Sequence, residues 1–126
     1  MKNLLIAHNR SCQRLVIKSS LERFGYDVAQ AGSCSEALQM ASKQTPDALI
    51  IDADLDGDGA LPMCESVIEA AQETAPLICV LARRIDSKRD AAWRELPGTV
   101  MVEMPPSGHA LSRQIEQHFG ETQDDS

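Results

Sequence analysis

The sequence predicts a doubly wound α/β domain, a five-stranded parallel sheet in the order 2-1-3-4-5 with about five helices on its two faces. Three observations predict it. Strand-like and helix-like segments alternate five times along the 126 residues, the pattern of repeated β–α–β units. The strand segments are continuous apolar runs, which suits strands covered on both faces. Right-handed crossovers then leave few topologies open. The length suits one domain over residues 1–120 with a mobile acidic tail over 121–126, and needs neither disulfide nor structural metal to bury a core.

The elements follow in order. Residues 3–7 (Asn-Leu-Leu-Ile-Ala) form a first strand ended by His8-Asn9-Arg10. Val16, Ile17, Leu21 and Phe24 recur at helical spacing, and Gly25 stands where a helix commonly stops. Tyr26 to Ala31 is a second strand. Ser33-Cys34-Ser35-Glu36 matches a capping box, and Ala37, Leu38 and Ala41 follow on one face of that helix. Pro46-Asp47 breaks it, and Ala48 to Ile51 is the third strand, ending in Asp52. Pro62 marks a helix start, with Val67, Ile68 and Ala71 on one face. Leu77 to Ala82 is the fourth strand, Ser87 to Leu96 a basic helix closed by Pro97-Gly98, and Thr99 to Met104 the fifth strand. Ser107 opens a last helix carrying Leu111, Ile115 and Phe119. In such folds the working edge is the C-terminal end of the strands. That edge collects His8-Asn9, Asp52, Leu81-Ala82 and Met104-Pro105.

Composition narrows the function. Twelve Lys plus Arg against nineteen Asp plus Glu give a net charge of −7, which argues against nucleic acid or an anionic membrane as partner. No apolar stretch approaches a membrane span and no signal-peptide core is present, so a cytoplasmic location is expected. Cys12, Cys34, Cys64 and Cys79 contain no C-x-x-C pair of the kind structural zinc prefers, and read as free thiols in a reducing compartment. The run Asp52-Ala53-Asp54-Leu55-Asp56-Gly57 copies the first half of a calcium-binding EF-hand loop. The bidentate glutamate of such a loop would fall on Met63, and a strand precedes the run, so a solvated acidic turn is the better reading.

From residue 2 to about residue 119 the chain resembles the receiver domain of two-component response regulators, a CheY-like, flavodoxin-like three-layer sandwich. The resemblance rests on Leu21-Glu22-Arg23-Phe24-Gly25-Tyr26, Glu36-Ala37-Leu38, Pro46-Asp47-Ala48-Leu49-Ile50-Ile51-Asp52, Asp58-Gly59, Pro76-Leu77-Ile78 and Pro105 in that order and spacing. It implies that Asp52 holds the place of the phosphoacceptor that takes a phosphoryl group from a phosphohistidine. It also implies an acidic pair ending strand one that holds Mg²⁺, a Ser/Thr hydroxyl ending strand four, a lysine ending strand five and an aromatic switch within strand five.

The chain departs at each of those supporting positions. The acidic pair is His8-Asn9, the hydroxyl is Leu81, the lysine is Met104 and the aromatic is Met101. A carboxylate attacking an anionic phosphoryl group needs positive charge and donors around it; Leu81, Met101 and Met104 supply neither, and His8-Asn9 supplies no carboxylate to seat Mg²⁺.

The leading expectation is therefore a degenerate pseudo-receiver, a phosphorylation-independent interaction module in bacterial signalling, with no enzymatic activity and no cofactor. Its signalling partner, or a second copy, would dock on the fourth helix, fifth strand and fifth helix, which include Trp93, Met101, Glu103 and outer positions of 107–119. Trp93 reads equally as an exposed anchor there or as a residue packed under its own helix. One alternative keeps Asp52 phosphorylated by a histidine kinase, with Mg²⁺ held by Asp54 or Asp56 as replacement ligands. Apart from that case no metal is expected, and Asn9, Asp52 and Asp54 are the residues one would use. A second alternative is a small-ligand sensor in which Arg83, Arg84, Lys88, Arg89 and Arg94, with Trp93 beside them, clamp a cyclic dinucleotide.

Overall fold

A computed structural model describes residues 2–56, 59–71, 76–82, 91–103, 111 and 113–117. Five strands, β1 (Asn3–Ala7), β2 (Asp27–Ala31), β3 (Ala48–Asp52), β4 (Leu77–Ala82) and β5 (Thr99–Glu103), form one sheet in the order β2-β1-β3-β4-β5. Every neighbouring pair is parallel, as the continuous apolar runs predict. The helices are α1 (Ser11–Glu22), α2 (Cys34–Lys43), α3 (Ala60–Ala71) and α4 (Ala91–Arg94), and residues 111 and 113–117 are helical turns of a fifth, α5. The predicted tail and the basic residues Arg83, Arg84, Lys88 and Arg89 lie outside the described residues, as do Met104 and Pro105.

Two apolar layers sandwich the sheet. One face sets Leu5, Ala7, Leu49, Ile51, Ile78 and Val80 against α2, α3 and Trp93 of α4. The other sets Leu4, Ile6, Ile50, Cys79 and Leu81 against Ile17 and Leu21 of α1 and Leu111 and Ile115 of α5. The alternation follows from the two-residue period of a strand, so each strand feeds both layers.

Local chemistry sets the element ends. The Ser33 hydroxyl accepts the Glu36 amide at 3.1 Å, as the capping box requires. The Glu36 carboxylate reaches one residue further back than expected and accepts the Gly32 amide at 2.7 Å. Gly25 closes α1 in the left-handed region at φ +93°, where a Cβ is strained. Asp47 ties the start of β1, its carboxylate accepting the Asn3 amide at 2.8 Å. Pro46-Asp47 thus breaks α2 and aligns two strands.

Three expectations are corrected. Trp93 is only 6% exposed and belongs to the core, so it is no partner or ligand contact; the short α4 turns its indole onto the sheet. Val16 is 61% and Phe24 44% exposed, leaving Ile17 and Leu21 as the buried pair of α1. Leu38 is likewise at the surface while Ala37 and Ala41 are buried. In both helices the buried residues stand four apart; Val16 lies about 100° around the helix from Ile17, Leu38 sits at the margin of its stripe about 100° from Ala37, and Phe24 lies beyond the end of α1. Among the described residues no helix is long and apolar enough to cross a membrane.

Candidate functional site

Parallel register sets the site. Ala7 pairs with Ile51, so His8 lies beside Asp52 at the ends of adjacent strands. Asp52 pairs with Leu81 and Leu81 with Val102. The result is one row across the C-terminal edge, polar at β1 and β3 and apolar at β4 and β5.

His8 is the buried polar residue of the described core, 2% exposed. Its amide donates to the Ala31 carbonyl at 3.1 Å, and its own carbonyl accepts from Arg14 Nη1 at 2.6 Å. Arg14 Nε donates to Gln30 Oε1 at 3.2 Å. The Arg10 amide donates to His8 Nδ1 at 3.0 Å, and an accepting Nδ1 leaves the proton of the neutral ring on Nε2. Nε2 lies 3.7 Å from Asp52 Oδ2, longer than a hydrogen bond and within ion-pair range.

The Asp52 carboxylate is mostly covered, and its Oδ1 accepts the Asp54 amide at 3.1 Å, an Asx turn. The chain then drops the fully buried Leu55 into the core. Asp56 follows at φ +55°, a left-handed conformation that Asp tolerates better than most residues. Its Oδ2 accepts the Cys34 amide at 2.7 Å, at the first turn of α2. The Cys34 thiol donates to the Leu55 carbonyl at 3.6 Å. The loop is therefore more than a solvated acidic turn. It docks on a helix start, where a carboxylate is favoured by the helix dipole.

Magnesium would require converging oxygen ligands in near-octahedral geometry. Here the carboxylates diverge: Asp52 lies toward His8, Asp56 is spent on α2, and Asn9 and Asp54 are exposed. Among the described residues no three His, Cys, Asp or Glu side chains gather as a metal site. The set Asn9, Asp52 and Asp54, and the variant using Asp56, do not fit the ion.

Among the described residues the apolar half of the row, Leu81 and Val102, offers no side-chain donor. Leu81 is fully buried among Ile6, Ile50, Cys79 and Leu111. Met101, on the opposite side of the sheet, packs partly buried against the core that holds Trp93. Of the basic cluster, Arg94 is described, exposed at the end of α4. Burial pushes the Cys64 and Cys79 thiols up to about 12. Burial and then the Asp56 carboxylate raise Cys34 to about 11.

Two contributors escaped sequence reading. Arg14 holds the end of β1 from α1, and its sequence signal is a basic residue early in a helix, where the dipole disfavours it unless it finds a partner. Asp56 as a helix cap is a contact between residues 22 apart, without local signature.

No family model matches the chain. The transcriptional regulatory protein AfsQ1 of Streptomyces coelicolor is 30% identical over 86 residues, which cover 68% of this chain and 37% of that protein. The chain thus spans a little over a third of the length of this curated relative. The fold is that of the chemotaxis protein CheY4 of Vibrio cholerae, with a TM-score of 0.84 at 20% identity over 93% of this chain and 98% of that one. The fold is the receiver fold. A response regulator receiver domain protein from Clostridium thermocellum matches with a TM-score of 0.84 at 18% identity over 98% of each chain. A two-component response regulator from Clostridium difficile does so at 0.84 and 17% over all of both. At these identities the structures speak for the receiver fold, and the regulatory protein adds the sequence link.

Proposed function

We propose that this receiver domain acts without phosphorylation, as a constitutively formed protein-interaction module in two-component signalling, without catalytic activity of its own. The observation that carries the reading is Leu81. It pairs in register with Asp52, at the place where a phosphoryl oxygen would need a hydroxyl, and it is fully buried in the core. An acyl phosphate on Asp52 would bring about two negative charges against an apolar wall. With Leu81 and Met101 in those places, no hydroxyl–aromatic relay is available to gate the output face.

That face is α4, β5 and α5, on which Arg94 and Arg113 are exposed. With Trp93 in the core, these two residues are the informative surface positions. The test treats the chain with Mg²⁺ and beryllofluoride, or with a small phosphodonor, and records amide NMR spectra and phosphate stoichiometry. Unchanged spectra and at most trace labelling are expected, while Arg94→Glu and Arg113→Glu weaken capture of the native partner or of a second copy. Near-complete Mg²⁺-dependent labelling that vanishes in Asp52→Asn and alters partner affinity would overturn the reading.

A further inference from the structure

The His8 backbone is fixed from two sides and its ring from a third. Its amide is held by β2 through Ala31, its carbonyl by Arg14 of α1, and its Nδ1 by the Arg10 amide. The ring therefore has no lone pair left for a metal. Nδ1 is engaged as an acceptor, and in the neutral ring Nε2 carries a proton. That N–H edge lies 3.7 Å from Asp52 Oδ2, while Oδ1 of the same carboxylate takes the Asp54 amide. Both oxygens of Asp52 thus have a hydrogen donor group of the chain beside them.

We propose that His8 is the specificity-determining residue that closes this site to divalent cations, its Nε2–H standing on the side of Asp52 that a cation would occupy. The inference rests on the phosphorylation-independent reading above and narrows it to one side chain. A cation and an N–H group compete for the same carboxylate lone pairs, and the donor is part of the fold. The competition is settled locally because, among the described residues, no third carboxylate gathers with this pair: Asp56 is committed to the amide of Cys34. Replacing His8 by Asp would exchange an N–H donor for an anionic oxygen ligand. Adjacent strands lie about 4.8 Å apart, a separation that one cation bound between two strand-end carboxylates can bridge.

The test is a Mn²⁺ titration followed by electron paramagnetic resonance of the free ion. It uses the full chain, His8→Asp, and His8→Asp combined with Asp52→Asn, each first shown to be folded by thermal unfolding. The natural chain is expected to show no saturable binding up to about 1 mM Mn²⁺, the weak end of protein sites for hard cations. His8→Asp should bind at least about tenfold more tightly, since an added carboxylate raises ligand charge, and the double variant should lose the gain. An independent readout is the ¹⁵N spectrum of His8, expected to show a protonated Nε2 and an unprotonated Nδ1, with the Nε2 signal shifting in Asp52→Asn. Saturable Mn²⁺ binding by the natural chain overturns the proposal. So does a folded His8→Asp variant that binds no more tightly, or a His8 protonated on Nδ1. If His8→Asp does not fold, the natural chain's titration and the ¹⁵N spectrum still decide. A natural chain that takes phosphate yet ignores Mn²⁺ would defeat the functional reading and leave the cation exclusion intact.

Discussion

The two halves of the sheet's C-terminal edge occupy equivalent register positions and use them in opposite ways. At β1 and β3, His8 and Asp52 keep polar side chains, and each is held by a local donor or acceptor: the Arg10 amide for one, the Asp54 amide for the other. At β4 and β5, Leu81 enters one core layer and Met101 packs against the other. The strand-end carboxylate of Asp52 is thus met by a backbone amide and by the edge of the His8 ring. The positions at β4 and β5 contribute to packing instead. The polar half should accordingly matter little for stability and the apolar half a great deal.

The largest effect that would sharpen this contrast is in the apolar half. Leu81→Ala should destabilise the domain by about 2–5 kcal/mol, because a fully buried side chain leaves a cavity as well as losing transfer energy. Trp93→Ala should cost a similar or larger amount for the same reason. Chemical denaturation with a two-state fit measures both. A loss under about 1 kcal/mol for Leu81→Ala, within the range of a surface change, would break the comparison by showing that the pocket is not packed.

How much of this was legible beforehand depends on the range of the interaction. The five strands and their order followed from apolar runs and crossover handedness, and Asp52 followed from its place at the end of the third run. Within helices the buried stripe was read too generously: Val16 and Leu38 are as apolar as their buried neighbours, and only their angular position exposes them. Trp93 could not be assigned, because an indole suits a core and an interface equally. The roles of Arg14 and Asp56 depend on partners from separate elements, Gln30 and Cys34, that no local pattern names.

Alkaline pH separates the halves differently. The buried thiol of Cys79 on β4 and that of Cys64 on α3 are raised from 9.0 to about 12. Folded thiols therefore keep protons that unfolded ones release. Stability should be undiminished by these groups below pH 9 and fall as pH climbs from about 9 toward 12. Cys79→Ala should flatten that fall, as read from denaturation midpoints at a series of pH values. Cys34, beside the polar half, is less buried and should react with a thiol reagent faster than Cys79, and Cys12, exposed on α1, fastest of all. A Cys79 that reacts as fast as Cys12 would show that β4 opens readily.

A smaller effect belongs to the loop that ties the polar half to α2. Asp56→Ala removes the acceptor for the Cys34 amide and places Ala at φ +55°, so a loss of about 1 kcal/mol, the usual worth of a cap, is expected. Asp56→Asn keeps both an acceptor oxygen and tolerance of the left-handed region, and should recover most of it. Equal losses in the two variants would mean that charge at the helix start, rather than the hydrogen bond, holds the loop.

The smallest change should come from Asp52 itself. In Asp52→Asn the amide oxygen can still accept the Asp54 N–H, so the turn after β3 survives. What is lost is the attraction across 3.7 Å to His8, a contact longer than a hydrogen bond and weak for that reason. The new amide hydrogens must avoid the His8 Nε2–H, and a side-chain flip would exchange one hydrogen bond for another. Stability should therefore fall by less than about 1 kcal/mol, within the range of small substitutions, and affinity for a partner of the proposed α4, β5 and α5 face should not change. A shift beyond about 3 kcal/mol, the cost of stranding a buried charge, would show that Asp52 and His8 form a tightly coupled pair and that the polar half is as structural as the apolar one. Unchanged stability with lost partner affinity would instead show that the carboxylate reaches the output face by a route that bypasses Leu81 and Met101.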